Sequence, residues 1–272
     1  MRVLFFIMCL LLTLPGFTQE RISKYDRLGL FAGSQQTHIL DQQFSPLLYK
    51  AGEVSLGLYY EAEHHKSNWN VIMEAASGSL YPPQYADRQL YNTTEDIDGH
   101  ITTDSFFVQG TTRTFNLRLG YSFDIIHTTD WELNIGGAGR NQLMYPESFV
   151  NIGIMNSASF LVTAEGKYRP NNRHQLSAGI QVPVMSFNSR FPYSGTVSTP
   201  NQELLQAFFD GGTHFVSFNK YTQVITNLKW RYALSQHTGI GIQYDFMWQQ
   251  YTIPVTLKQY STRLGVAFDI SF

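Results

Sequence analysis

Residues 61 to 71 read EAEHHKSNWNV, and within them His65 stands two positions before Ser67, with Asn68 following. An imidazole that close to a hydroxyl can take its proton, and the alkoxide can attack an ester if nearby donors hold the oxyanion that forms. Two further clusters carry groups of the same kind. TEDIDGHITTD holds Asp96, Asp98, His100 and Asp104, and FFDGGTHF holds Asp210 and His214. A pair of aspartates facing an Asp–His pair could activate a water for hydrolysis. The D-x-D-G run also suits calcium, because alternate carboxylates can point at one centre, but the later bidentate glutamate of a calcium loop is absent. A solvated acidic loop is the simpler reading, and neither a metal nor a cofactor is implied.

What these groups can do depends on the elements that carry them. The chain opens MRVLFFIMCLLLTLPGFTQE, with Arg2, an apolar run from Val3 to Leu14, then Pro15 and Gly16. That order predicts a secretory signal peptide over residues 1–18, cleaved near Thr18–Gln19. Cys9, the only cysteine, lies mid-run rather than at its end, so the exported chain is expected to have no thiol. Disulfides, cysteine-ligated metals and cysteine nucleophiles are thereby excluded from it. Beyond the signal no apolar stretch approaches the roughly 20 residues of a membrane-spanning helix. The other route across a bilayer is a closed barrel, in which every backbone group pairs between strands.

RLGVAFDISF, at the end, puts Leu264, Val266, Phe268, Ile270 and Phe272 on one face and Gly265, Ala267, Asp269 and Ser271 on the other. A strand of this kind closing on phenylalanine resembles the terminal strand of bacterial outer-membrane barrels, and that resemblance covers the whole exported chain. Charged residues make up only 15% and aromatics 15%, yet mean hydropathy is slightly negative at −0.19, because polar and apolar residues alternate. The period-two segments fall near 27–34, 53–65, 69–81, 111–126, 131–145, 156–168, 174–187, 220–234, 238–251 and 258–272, which predicts an all-β, antiparallel up-and-down barrel of about ten strands. Short connections are expected at 66–68, 127–130, 170–173 and 235–237. Long ones are expected at 35–52, 82–110 and 188–219, with intermediate ones at 146–155 and 252–257. Short turns face the periplasm in such barrels, so both termini are expected there. Trp69, Trp131, Tyr168 and Tyr232 flank the short turns as an interfacial belt would. Residues 19–272 read as one domain. A net charge of −2 offers no basic surface for nucleic acid.

Charges keep to one face. The inward set is Glu61, Glu63, Glu74, Arg118, Asp124, Glu132, Arg140, Glu165, Lys167, Lys229, Arg231, Asp245, Arg263 and Asp269. With both signs interspersed, a lumen filled by ion pairs is expected ahead of a narrow pore.

His-x-Ser-Asn resembles the catalytic stretch of outer-membrane phospholipases and lipid A deacylases, where the pair projects from a strand near the outer leaflet. Here residues 66–68 instead join two strands at the short-turn side, and Trp69 stands where that family has glycine. Asp96 and Asp98 with Asp210 and His214 resemble the site of omptin-type proteases, although three residues rather than one separate Asp210 from His214. The expectation is an outer-membrane barrel of a Gram-negative bacterium whose outer loops bind a surface ligand, a membrane protein or lipopolysaccharide. The barrel assembly machinery would be its partner during insertion. A small-solute pore and a lipid or peptide hydrolase are the alternatives.

Overall fold

The computed structural model describes residues 25–43, 45–64, 67–86, 88–95, 98–99, 101–107, 109–147, 153–190 and 204–272. The expected signal peptide, with Cys9, lies outside the described residues, as do His65, Asp96 and His100. Ten long antiparallel strands close into a barrel. In chain order they are β1 (Tyr25–Asp41), β2 (Leu48–Glu63), β3 (Ser67–Tyr81), β6 (Gly110–His127), β7 (Trp131–Glu147), β8 (Met155–Tyr168), β9 (His174–Arg190), β11 (Tyr221–Ala233), β12 (Thr238–Tyr251) and β13 (Leu257–Ser271). The remaining elements belong to two loops on one rim. They are the hairpin β4 (Gln89–Glu95) and β5 (Ile101–Phe107), the helix α1 (Leu204–Gly212) and the short strand β10 (Thr213–Val216).

Each strand pairs with its sequence neighbour, and β1 pairs with β13 to complete the ring. At that seam the backbones of Asp26 and Phe272 exchange hydrogen bonds of 3.1 and 2.9 Å, so the terminal phenylalanine is stitched to the first strand. Closure leaves no edge, as a sheet in hydrocarbon requires.

The faces follow from alternation. In β13, Leu264, Val266, Phe268 and Ile270 are 45–59% exposed on the outside, whereas Arg263, Ala267 and Asp269 are buried inside. In β2, Val54 and Leu56 face out while Glu53 and Ser55 are buried. Exposure of that many large apolar side chains would be unfavourable in water; facing acyl chains, it is what a membrane imposes. Aromatic rings crowd the outer surface of the short-turn rim: Trp131 stacks on Tyr168 at 4.5 Å, and Trp69 packs edge-on to Tyr60 at 5.1 Å.

The short turns at 128–130, 169–173 and 234–237 close on side chains suited to them. The Thr128 hydroxyl accepts the Trp131 N–H at 3.0 Å, and Asn171 Oδ1 accepts the N–H groups of Arg173 and His174 at 2.9 Å each.

The expected long connection at 35–52 is corrected. Strand β1 continues to Asp41, and only residues 42–47 link it to β2. The extra segment, QQTHILD, lacks an apolar outer face but remains fully laddered to both neighbours, Gln35 opposite Arg263 and Glu53. The two long connections on this rim carry structure of their own. β4 and β5 form a separate two-stranded sheet, and β10 pairs with the upper part of β9 (Ser186–Ser189), whose lower part (His174–Gln181) pairs with β11.

Two irregularities adjust the ladder. Opposite Phe160–Leu161 the register skips Val184, beside Pro183, which has no N–H to contribute. Between Asp124 and Ile126 the skipped residue is Ile125, so both isoleucines turn outward.

Candidate functional site

Ser67 opens β3, one residue before Asn68, which is buried and donates to Asp124 Oδ1 at 3.0 Å inside the barrel. Alternation therefore sets Ser67 on the same outer face as Trp69. Its backbone carbonyl accepts the His64 N–H at 2.8 Å and tightens the turn. His65, the expected base, lies outside the described residues.

The second hydrolytic set is divided between two loops. Asp98 is exposed beside Gly99, which turns at φ +80° in the β4–β5 connection. Asp210 is exposed near the end of α1, and His214 lies in β10 opposite Asn188. Asp96 is outside the described residues.

The inward charges come together far more closely. Near the short-turn rim Lys167 meets Glu63 at 3.4 Å, while Arg169 pairs with both Glu63 (3.0 Å) and Glu132. His127 approaches Asp124 at 3.9 Å and Glu132 at 3.7 Å. One layer higher, Asp269 is gripped by the Arg231 Nε at 2.9–3.0 Å, and Glu61 lies between Arg27 (3.2 Å) and Lys229 (3.7 Å). Higher still, Arg263 bridges Glu74 at 2.9 Å and Asp245 at 2.7 Å while its guanidinium lies 4.5 Å over the Phe31 ring. That ring also crowds Gly57, where an added Cβ would come within 1.9 Å of it. Only glycine leaves room for the aromatic there.

Above the charged layers the lumen turns neutral. Gln223 donates to Gln249 at 2.9 Å, Gln249 donates to Gln259 at 2.8 Å, and the hydroxyls of Ser157, Ser159 and Ser186 interlink at 2.8–3.2 Å. At the long-loop end, apolar side chains take over: Met144, Met155, Val216, Tyr221, Tyr251 and Leu257 in one buried cluster, and Ile39, Tyr49, Ala51 and Leu80 in another. Arg190 joins the rim together. It pairs with Asp41 on β1 and donates to the carbonyls of Ile253 (3.2 Å) and Val255 (3.0 Å) in the β12–β13 connection.

Several of these residues escaped sequence reading. Asp41 and Arg190 fall in segments expected to be loop, and Arg169 lies between an expected strand ending at 168 and an expected turn starting at 170. Arg27 and Glu53 were legible by alternation alone: each shares a parity with inward neighbours, Arg27 with Gly29 and Glu53 with Glu61.

A closed barrel with an apolar exterior, a charged interior and an aromatic rim defines the class: this is a transmembrane β-barrel of the outer-membrane kind. No family model matches the chain, and no curated protein does. Among solved structures, the outer membrane protease OmpT from Escherichia coli is similar at 9% identity and a TM-score of 0.48, over 94% of this chain and 99% of that one. The translocator domain of the autotransporter NalP from Neisseria meningitidis is similar at 9% identity and a TM-score of 0.38, over 98% of this chain and 93% of that one. The toluene transporter TodX of P. putida is similar at 9% identity and a TM-score of 0.37, over 93% of this chain and 90% of that one. The activities in those names belong to those proteins.

Proposed function

We propose that this chain is exported by its signal peptide to the outer membrane of a Gram-negative bacterium, with both termini in the periplasm. There it acts as a non-conducting scaffold whose outer loops bind a surface ligand, a neighbouring membrane protein or lipopolysaccharide. The observation that carries this reading is the contrast at the long-loop rim. The lumen is packed there by two buried apolar clusters and the Arg190 contacts, while the β4–β5 hairpin forms a sheet of its own with Tyr91 68% and Ile101 67% exposed. Closed interiors and exposed loops on a rigid frame favour recognition over passage. A second reading, a narrow pore, draws support from small cavities that run along the lumen. Purified barrel in planar bilayers decides between them. Silence under applied voltage is expected; reproducible single-channel steps from the wild-type protein would replace the scaffold with a channel.

A further inference from the structure

Most charges inside this barrel have an opposite partner; among those that make no ion pair, Arg118 and Arg140 stand together, whereas Glu53 is held by Gln35 and Thr37 and Glu165 lines the two adjoining cavities. Arg118 and Arg140 stand directly opposite each other in the β6–β7 ladder, and both border one mid-lumen cavity. Arg140 meets only neutral acceptors: Asn116 Oδ1 at 2.8 and 3.2 Å, Gln223 Oε1 at 3.3 Å, and the Met247 sulfur at 3.9 Å. Arg118 makes no hydrogen bond or ion pair among the described residues, and its Nε is buried without an acceptor. The carboxylates that attract Arg118 most, Glu165 and then Glu74, stay beyond ion-pair distance. Like charges placed opposite one another are unfavourable, and a buried donor left unmet is costly.

The cavity in front of them has a volume of about 90 Å³. Its charged lining consists of Arg118, Arg140, Arg263 and Lys229 against Glu74 and Asp245. Those two carboxylates are already held by Arg263, and Asp245 also accepts from the Gln243 amide at 2.7 and 3.0 Å. Lys229 pairs with Glu61 outside this lining, so Arg118 and Arg140 are the two lining cations without an ion partner. Side-chain amides of Gln142 and Gln181 border the same space. Planar guanidiniums match oxyanions through paired N–H donors.

We propose that this cavity binds a small oxyanion of carboxylate or phosphate type, held chiefly by Arg140 and Arg118. Two further cavities continue from it toward the short-turn rim. A second cavity shares Arg118, Asn227 and Lys229 with the first, and a third shares Glu61, Glu165 and Lys229 with the second and reaches Arg27 and Asp269. Above the site the glutamine layer and the apolar clusters intervene, so the pathway is a blind vestibule. This inference is independent of what the outer loops bind.

The test is isothermal titration of the full mature barrel, in detergent and chloride-free buffer, with inorganic phosphate and separately with acetate. Saturable binding of at least one ion is expected, and the two arms tell a tetrahedral from a planar occupant. Arg140→Gln and Arg118→Gln should each weaken it at least tenfold, while Arg113→Gln, which removes an exposed guanidinium near the long-loop rim, should leave it unchanged. Since either inner variant could fold poorly, the wild-type melting temperature supplies a readout without mutation: it should rise with the bound ion. Absence of both saturable heat and melting shift with either ion overturns the proposal. So does binding that survives loss of both arginines, or that Arg113→Gln abolishes.

Discussion

Arg190 and Asp41 lie 149 positions apart and form a buried ion pair that joins the ends of β9 and β1 across the long-loop rim. Neither side chain has bulk water to fall back on if its partner is lost. Asp41→Asn or Arg190→Met alone is therefore expected to lower stability by about 3–5 kcal/mol, as measured by urea unfolding in lipid vesicles. The double variant Asp41→Leu with Arg190→Met should recover most of that loss, because no charge is then stranded. If the pair also keeps the mouth shut, Arg190→Met should raise membrane conductance above the silent wild type. Unchanged stability in both single variants would remove the clasp from the account.

The close approach of Phe31 to Gly57 predicts a steric effect deeper in the lumen. Gly57→Val forces the ring away and takes the Phe31–Arg263 contact with it. Overpacking of this kind is expected to cost about 1–3 kcal/mol. Phe31→Ala combined with Gly57→Val should be less harmful than the two changes summed, a coupling that a double-mutant cycle in urea unfolding would reveal.

The outer face can be probed at its middle. Leu56 points out from β2 and is 59% exposed. Leu56→Arg should destabilise the vesicle-inserted barrel by about 2–4 kcal/mol, and the same substitution at exposed Gln36, closer to the long-loop rim, should cost much less. Equal costs at the two heights would mean that no hydrocarbon surrounds Leu56.

Sidedness is testable with a clean background, because the exported chain is expected to contain no cysteine. In intact cells, an impermeant thiol reagent should label Asp98→Cys and Asp210→Cys and leave Ser67→Cys unmodified. The reverse pattern would invert the barrel and return attention to His65 and Ser67 as a lipid hydrolase. Independently, Ser67→Ala and Asp210→Ala are expected to leave any lipid or peptide hydrolysis at its wild-type level; a loss above tenfold in either would assign chemistry to that residue.

Much of the architecture was legible in the residues, since alternation is a local property. Leu264, Val266 and Phe268 face out, and Arg263 and Asp269 face in, wherever their strand is placed, because successive side chains point to opposite sides. That alone sorted Glu61, Glu74, Arg118, Arg140, Lys229 and Arg231 onto one face and assigned most strands within a few residues of their observed ends. The reading failed in QQTHILD, where the outward positions Gln36 and His38 are polar. His38 is instead covered by stacking on Tyr260 at 4.4 Å, a neighbour supplied by β13. A period that depends on an apolar outer face vanishes where that face is no longer apolar, even though the ladder continues.

The sequence by itself determined the face of most strand side chains, the even strand count and most of the short turns, because alternation and turn chemistry are local properties. Only the tertiary structure decided which charges meet. Arg263 with Glu74, Arg169 with Glu63 and Arg190 with Asp41 are separated by 189, 106 and 149 positions, and their pairing depends on ring closure and on stagger between strands. The β6–β7 register sets Arg118 and Arg140 side by side, and ring closure completes before them a cavity with no carboxylate in ion-pair reach of either. Period two can place a charge inside a barrel, but the height and azimuth at which it meets another are properties of the closed ring.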